Sequence, residues 1–220
     1  KSPGLNDAWQ LKGELLSAQG DAAGAMQAYR KALEIKADYL PAYAAMVKLL
    51  LAEGKNDEAA RELAAMQKIA PNNPQTSYLR ATLAYQQKDY AAAKEAILQA
   101  LKVAPESPLG LQLAGLIEYE LKAFPQAAAY LLKALPKTPP LGMARRVLIA
   151  SYLRNAQPGK ALNILEPVLD KIDKDSNMLA LAGQVFLQNG DVERGGKYFA
   201  RAAALDPQNI GKKTSLALVN

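Results

Sequence analysis

The ionisable side chains in this chain are 21 carboxylates, 27 Lys and Arg and 10 Tyr, because it contains no Cys and no His. Thiolate nucleophiles, disulfides, the usual His-dependent triads and Cys- or His-ligated zinc are thereby excluded within these residues. A pair of Asp or Glu could still serve as general acid and base. The acidic residues, however, fall mainly in predicted turns and on predicted solvent faces rather than converging. Catalysis is not expected, nor is a cofactor or a metal. The formal charge is +6, but Lys and Arg are scattered at helical spacing, as on a solvated face, rather than gathered into a stripe. Nucleic acid is therefore not the expected partner. Half of the residues are hydrophobic, enough for a substantial core, and no apolar run reaches the length of a membrane span.

What must position these groups is a repeat. A period of 34 residues runs through the chain without a slip, giving units 6–39, 40–73, 74–107, 108–141, 142–175 and 176–209. Residues 1–5, with Pro3, read as the end of a preceding unit, and 210–220 as the start of a seventh that is broken off. Unit position 20 is small throughout: Ala25, Ala59, Ala93, Ala127, Ala161 and Gly195. Position 24 is large and apolar: Tyr29, Leu63, Ile97, Leu131, Leu165 and Phe199. Position 8 is small in four of six units, as Gly13, Ala81, Gly115 and Gly183, with Val47 and Ile149 in the others. Small residues at 8 and 20 let two antiparallel helices approach, and the large residue at 24 fills the space beside them.

Each unit reads as helix, tight turn, helix, short loop. Gly20, Gly54 and Gly190 at position 15 supply the left-handed conformation that ends the first helix. Pro71, Pro105, Pro139 and Pro207 at position 32 end the second. Pro125 and Pro158 fit the first turn of second helices. Pro136 should shorten the second helix of its unit, and Pro167, well inside the next one, should cost a hydrogen bond and bend it. Gly195-Gly196 places two weak helix formers in the last second helix. A single hairpin cannot bury its own apolar face, so neighbouring units must stack.

These residues resemble the tetratricopeptide repeat family over 6–209, most closely in the first unit, with Trp9, Gly13, Gly20, Ala25, Tyr29 and Ala32. The resemblance implies an all-α fold: a right-handed superhelical solenoid of antiparallel helix pairs. Stretches such as 179–191, 200–207 and 161–169 further resemble the tetratricopeptide lipoproteins of bacterial PEP-CTERM/exosortase systems. That likeness implies export, a lipidated Cys upstream, a periplasmic or outer-membrane-anchored location and a link to exopolysaccharide. Composition is equally compatible with a cytoplasmic protein.

In the family, positions 2, 5, 9 and 12 of the first helices line a concave groove. By register these include Lys48, Tyr78, Thr82, Tyr85, Gln112, Tyr119, Arg146 and Gln184, with Arg154 adjacent. Tyr78, Tyr85 and Tyr119 would form an aromatic patch suited to a protein or peptide segment, and also able to stack on sugar rings, which keeps polysaccharide as an alternative ligand. Asp7 and Glu14 toward one end, with Arg146 and Arg154 toward the other, would orient an extended peptide. The chaperone-type clamp on a terminal carboxylate is not expected: its Lys and Asn slots hold Gln10 and Glu14, Ala44 and Lys48, Tyr78 and Thr82, or Gln112 and Leu116. The competing readings are RNA binding by a one-base-per-unit code, which needs more regular polar residues than positions 2 and 5 offer, and an enzyme. An interaction scaffold remains the leading expectation.

Overall fold

The computed structural model describes residues 4–140 and 142–208. The expected partial unit 210–220, and Pro3, lie outside them. The described residues form twelve α-helices and no strand: α1 (Leu5–Ala18), α2 (Ala22–Ile35), α3 (Leu40–Ala52), α4 (Asn56–Ile69), α5 (Pro74–Gln86), α6 (Tyr90–Val103), α7 (Pro108–Glu120), α8 (Phe124–Ala134), α9 (Met143–Arg154), α10 (Pro158–Leu165), α11 (Ser176–Gln188) and α12 (Val192–Leu205). The helices pair as hairpins, α1 with α2 through α11 with α12. They belong to two compact units, one up to Pro105 and one from Glu106.

The first unit stacks three hairpins, α3 resting on α2 and α1, and α5 on α4 and α3. Its core comprises Ala25, Tyr29, Ala32 and Met46 at one level and Val47, Leu50, Leu63, Met66 and Leu79 at the next. In the second unit α9 rests on α7 and α8, and α11 on α9 and α10. Leu131, Leu148, Ile149, Leu165, Met178, Val185 and Phe186 make its core. This is the helical-repeat class that the 34-residue beat implies.

The close-approach positions behave as their sizes require. A Cβ on Gly183 would lie 2.8 Å from the Phe199 ring, and one on Gly13 or Gly115 would run into Tyr29 or Leu131. Each glycine at position 8 therefore leaves room for the large residue at position 24 of its own hairpin. The small residues at position 20 are all buried.

Caps recur with the same beat. Asp21, Asp89 and Asp191 each accept a hydrogen bond from a backbone N–H of the helix they precede, at 2.8, 3.0 and 2.9 Å. Asn73, Ser107 and Asp175 do the same for first helices. Pro71, Pro105 and Pro207 stand two residues past α4, α6 and α12.

Prolines inside the second helices act more abruptly than a bend. Pro136 stops α8 at Ala134, and Leu135–Lys137 continue as 3-10 helix. Pro167 stops α10 at Leu165, and Glu166–Lys171 become 3-10 helix rather than the kinked α-helix expected. The missing N–H at Pro167 removes one α-type bond, and the tighter 3-10 pattern accommodates the loss. Pro125 and Pro158 sit in first turns, as expected. Helix α12 runs unbroken through Gly195-Gly196.

The turn between helices has one geometry in all six hairpins. Gly20, Gly54 and Gly190 have φ of 84°, 72° and 85°, and the residues in the same slot elsewhere, Lys88, Lys122 and Ala156, have φ of 62°, 60° and 51°. A side chain in that region costs roughly 1–2 kcal/mol, partly offset by the greater freedom glycine loses on folding. Lys88→Gly, Lys122→Gly and Ala156→Gly should each stabilise the protein, by about 0.5–1 kcal/mol. Chemical denaturation checks this; a loss of stability in all three would contradict the assigned turn geometry.

Candidate partner-binding grooves

The first helices of each unit carry a depression. In the first unit it measures about 490 Å³ and is lined by Gln10, Glu14, Ser17, Pro41, Lys48 and Gln75 over an apolar floor that includes Ala44 and Tyr29. Gln10, Ala44, Glu14, Lys48, Ser17, Pro41 and Gln75 all hold groove positions 2, 5, 9 or 12. The Gln10 side-chain amide donates to Glu14 at 3.0 Å. Lys48 is exposed.

In the second unit the depression measures about 370 Å³. Tyr119 from α7, Ala150, Leu153 and Arg154 from α9, and Gln184, Leu187 and Gln188 from α11 line it, with Phe199 beneath. Three expected residues, Tyr119, Arg154 and Gln184, thus meet at one place. Gln188, at position 13, was not expected. It lies one helical turn beyond Gln184, so the i, i+4 relation to position 9 is the signal that could have found it.

Of the other expected residues, Tyr78, Thr82, Tyr85 and Gln112 lie outside both linings. Tyr78 is half-buried against the second core layer of the first unit. The Thr82 hydroxyl donates to the Tyr78 carbonyl at 2.9 Å. Tyr85 is half-buried with its ring 5.6 Å from that of Tyr90, and Tyr119 packs edge-on to Phe124 at 5.5 Å. The tyrosines therefore anchor locally, Tyr78 and Tyr85 in the first unit and Tyr119 in the second. Gln112 is half-buried on α7, outside the depression lining.

Charges expected to form a gradient are largely engaged within the fold. Arg146 pairs with Asp175 at 2.6 Å, and the same carboxylate caps α11 through the Met178 N–H at 3.0 Å. Asp7 accepts a 2.6 Å hydrogen bond from the Tyr39 hydroxyl. Burial, and then that bond to Asp7, push the Tyr39 pKa up to about 12. An unfolded tyrosine ionises near 10. The stabilisation is thus complete below about pH 10 and is lost as pH rises toward about 12. A phenolate absorbance titration should show a last-ionising tyrosine that disappears in Tyr39→Phe. The variant's stability should also fall less steeply across that alkaline range.

Among the described residues no group of three or more Asp and Glu is arranged to hold a metal ion. No helix among them is long and apolar enough to cross a membrane.

Profiles of the tetratricopeptide repeat match residues 16–83, 78–141 and 148–210. The chain belongs to the tetratricopeptide repeat family. Proteins of this family are in general non-catalytic scaffolds for protein interaction. No curated protein matches the sequence. Among solved structures, the tetratricopeptide chain resembles pilF of Pseudomonas aeruginosa at 20% identity and a TM-score of 0.84, covering 97% of each chain. It resembles PilW, described as a widely conserved type IV pilus biogenesis factor, at 17% identity and a TM-score of 0.84, covering 98% of this chain and 100% of that one. YrrB, described as having an unusual peptide-binding site, is similar at 16% identity and a TM-score of 0.72, over 86% of this chain and 98% of that one. At these identities the likeness is one of fold.

Proposed function

We propose that this tetratricopeptide chain is a non-catalytic scaffold that holds an extended segment of a partner protein against its first-helix faces. The observation that carries this reading is that groove positions from successive hairpins converge on one depression in each unit, with exposed polar side chains around an apolar floor. Such a surface offers hydrogen bonds to a peptide backbone and contact area to its side chains. In the same reading the protein works at the bacterial envelope, lipid-anchored upstream of this segment, in exopolysaccharide export or PEP-CTERM protein sorting. The residues 161–169, 179–191 and 200–207 support that placement.

A photo-crosslinker placed at Lys48 or Gln184 of the full-length protein in its native cells should capture a discrete protein, and one at Lys102, on a second helix, should not. Capture from Lys102 alone, or of glycan instead of protein, would overturn the scaffold reading. Fractionation of the same cells tests the envelope placement.

A second reading is assembly of a surface filament. It is favoured by the near end-to-end superposition on the pilus biogenesis factor PilW and on pilF. Deleting the gene separates the two: loss of polysaccharide supports the first and loss of pili the second.

A further inference from the structure

We propose that the second-unit depression recognises the carboxylate of an Asp or Glu side chain within an extended partner segment. This rests on the scaffold reading above and specifies its ligand.

The second unit has five arginines, and four of them are occupied. Arg145 donates to the carbonyls of Pro140 and Ile164. Arg146 pairs with Asp175, Arg194 with Asp191, and Arg201 with Asp173. Arg154 alone has no ion pair or hydrogen bond among the described residues, and it is exposed at the rim of the depression. A guanidinium presents donors in a planar fork that matches a carboxylate, and an unpaired one over an apolar floor forms stronger ion pairs than one in open water.

The remaining lining indicates the form of the ligand. Gln184 and Gln188 are exposed amides, each able to donate and accept, as a peptide backbone requires. Leu153 and Leu187 supply apolar contact. The lining comes from three successive first helices, α7, α9 and α11, whose axes are spaced about 8–10 Å apart. Spanning them takes roughly five or six extended residues. The carboxylate therefore sits within a segment that continues on both sides, rather than at a chain end. One cation is also too few for a nucleic-acid backbone, which needs several.

The test is selection of peptides from a random library displayed within a longer chain, against the whole protein and against Arg154→Gln and Arg154→Glu. The wild type should enrich a column of Asp or Glu with apolar neighbours. Arg154→Gln should lose that column, and Arg154→Glu should favour Lys or Arg there. A selected peptide should bind the wild type about tenfold more tightly than its Glu→Gln counterpart, and the gap should narrow with salt. Thermal melts confirm that both variants fold, since Arg154 is exposed. Enriched peptides without an acidic column, or one that persists in Arg154→Gln, would overturn the carboxylate assignment while leaving the scaffold intact. Enrichment of no peptide at all would overturn both.

Discussion

Gly183→Ala should destabilise the second unit by about 1–3 kcal/mol, and most of that penalty should vanish in a chain that also carries Phe199→Leu. The Cβ added at Gly183 meets the Phe199 ring at 2.8 Å, and Phe199 is itself 2% exposed, so neither partner has open space to enter. In five of the six hairpins the two positions compensate in size. Aromatic rings occur only opposite glycine, as Gly13 with Tyr29 and Gly183 with Phe199; aliphatic residues occur opposite Ala81, Val47 and Ile149, and in the remaining hairpin Leu131 stands opposite Gly115. The double variant recreates the kind of pair found at Ala81 and Ile97. Hydrogen exchange of α11 and α12 amides in the two single variants and the double one gives the coupling. Additivity within about 0.5 kcal/mol would mean the two sites do not compete for one volume.

Arg145→Ala should cost about 2–3 kcal/mol, and Arg145→Lys should recover little of it. The guanidinium donates to the Pro140 carbonyl at 2.6 Å and the Ile164 carbonyl at 2.5 Å. In a continuous α-helix the Ile164 carbonyl would accept from the Val168 N–H, but α10 has given way to 3-10 geometry before Pro167. Arg145 thus satisfies a carbonyl freed by the helix break while tying that break to the start of α9. An ammonium at the end of a lysine can serve one of these carbonyls but lacks the planar fork that serves both. The loss should be read as faster exchange in residues 161–172; unchanged exchange there would show that the 3-10 segment stands without the clamp.

The architecture was legible because volume and periodicity act over short distances. The alternation of small and large residues at positions 8, 20 and 24 specifies helix contact within a hairpin, and the structure realises it at Gly13, Gly115 and Gly183. The shared turn was legible only where glycine marks it. Lys88, Lys122 and Ala156 adopt the same left-handed backbone, imposed by hairpin geometry on residues with no such preference. At the candidate site, register brought Tyr119, Arg154 and Gln184 together. It could not reveal that Arg146 is held by a capping aspartate, because that pairing joins residues 29 apart through tertiary geometry. Nor could it reveal which tyrosines lie outside the depressions, since Tyr78 and Tyr85 share groove spacing with Tyr119 and differ in what packs beside them.

The matching of glycine to ring has a consequence for how such a chain can grow. Both members of each pair lie within one helix–turn–helix segment, so duplication or exchange of whole segments carries the fit along intact. A recombination joint at the turn would set a bulky side chain from one lineage against a Cβ from another. Expansion in whole hairpins therefore keeps these contacts together, whereas a joint at the turn separates the two members of a pair.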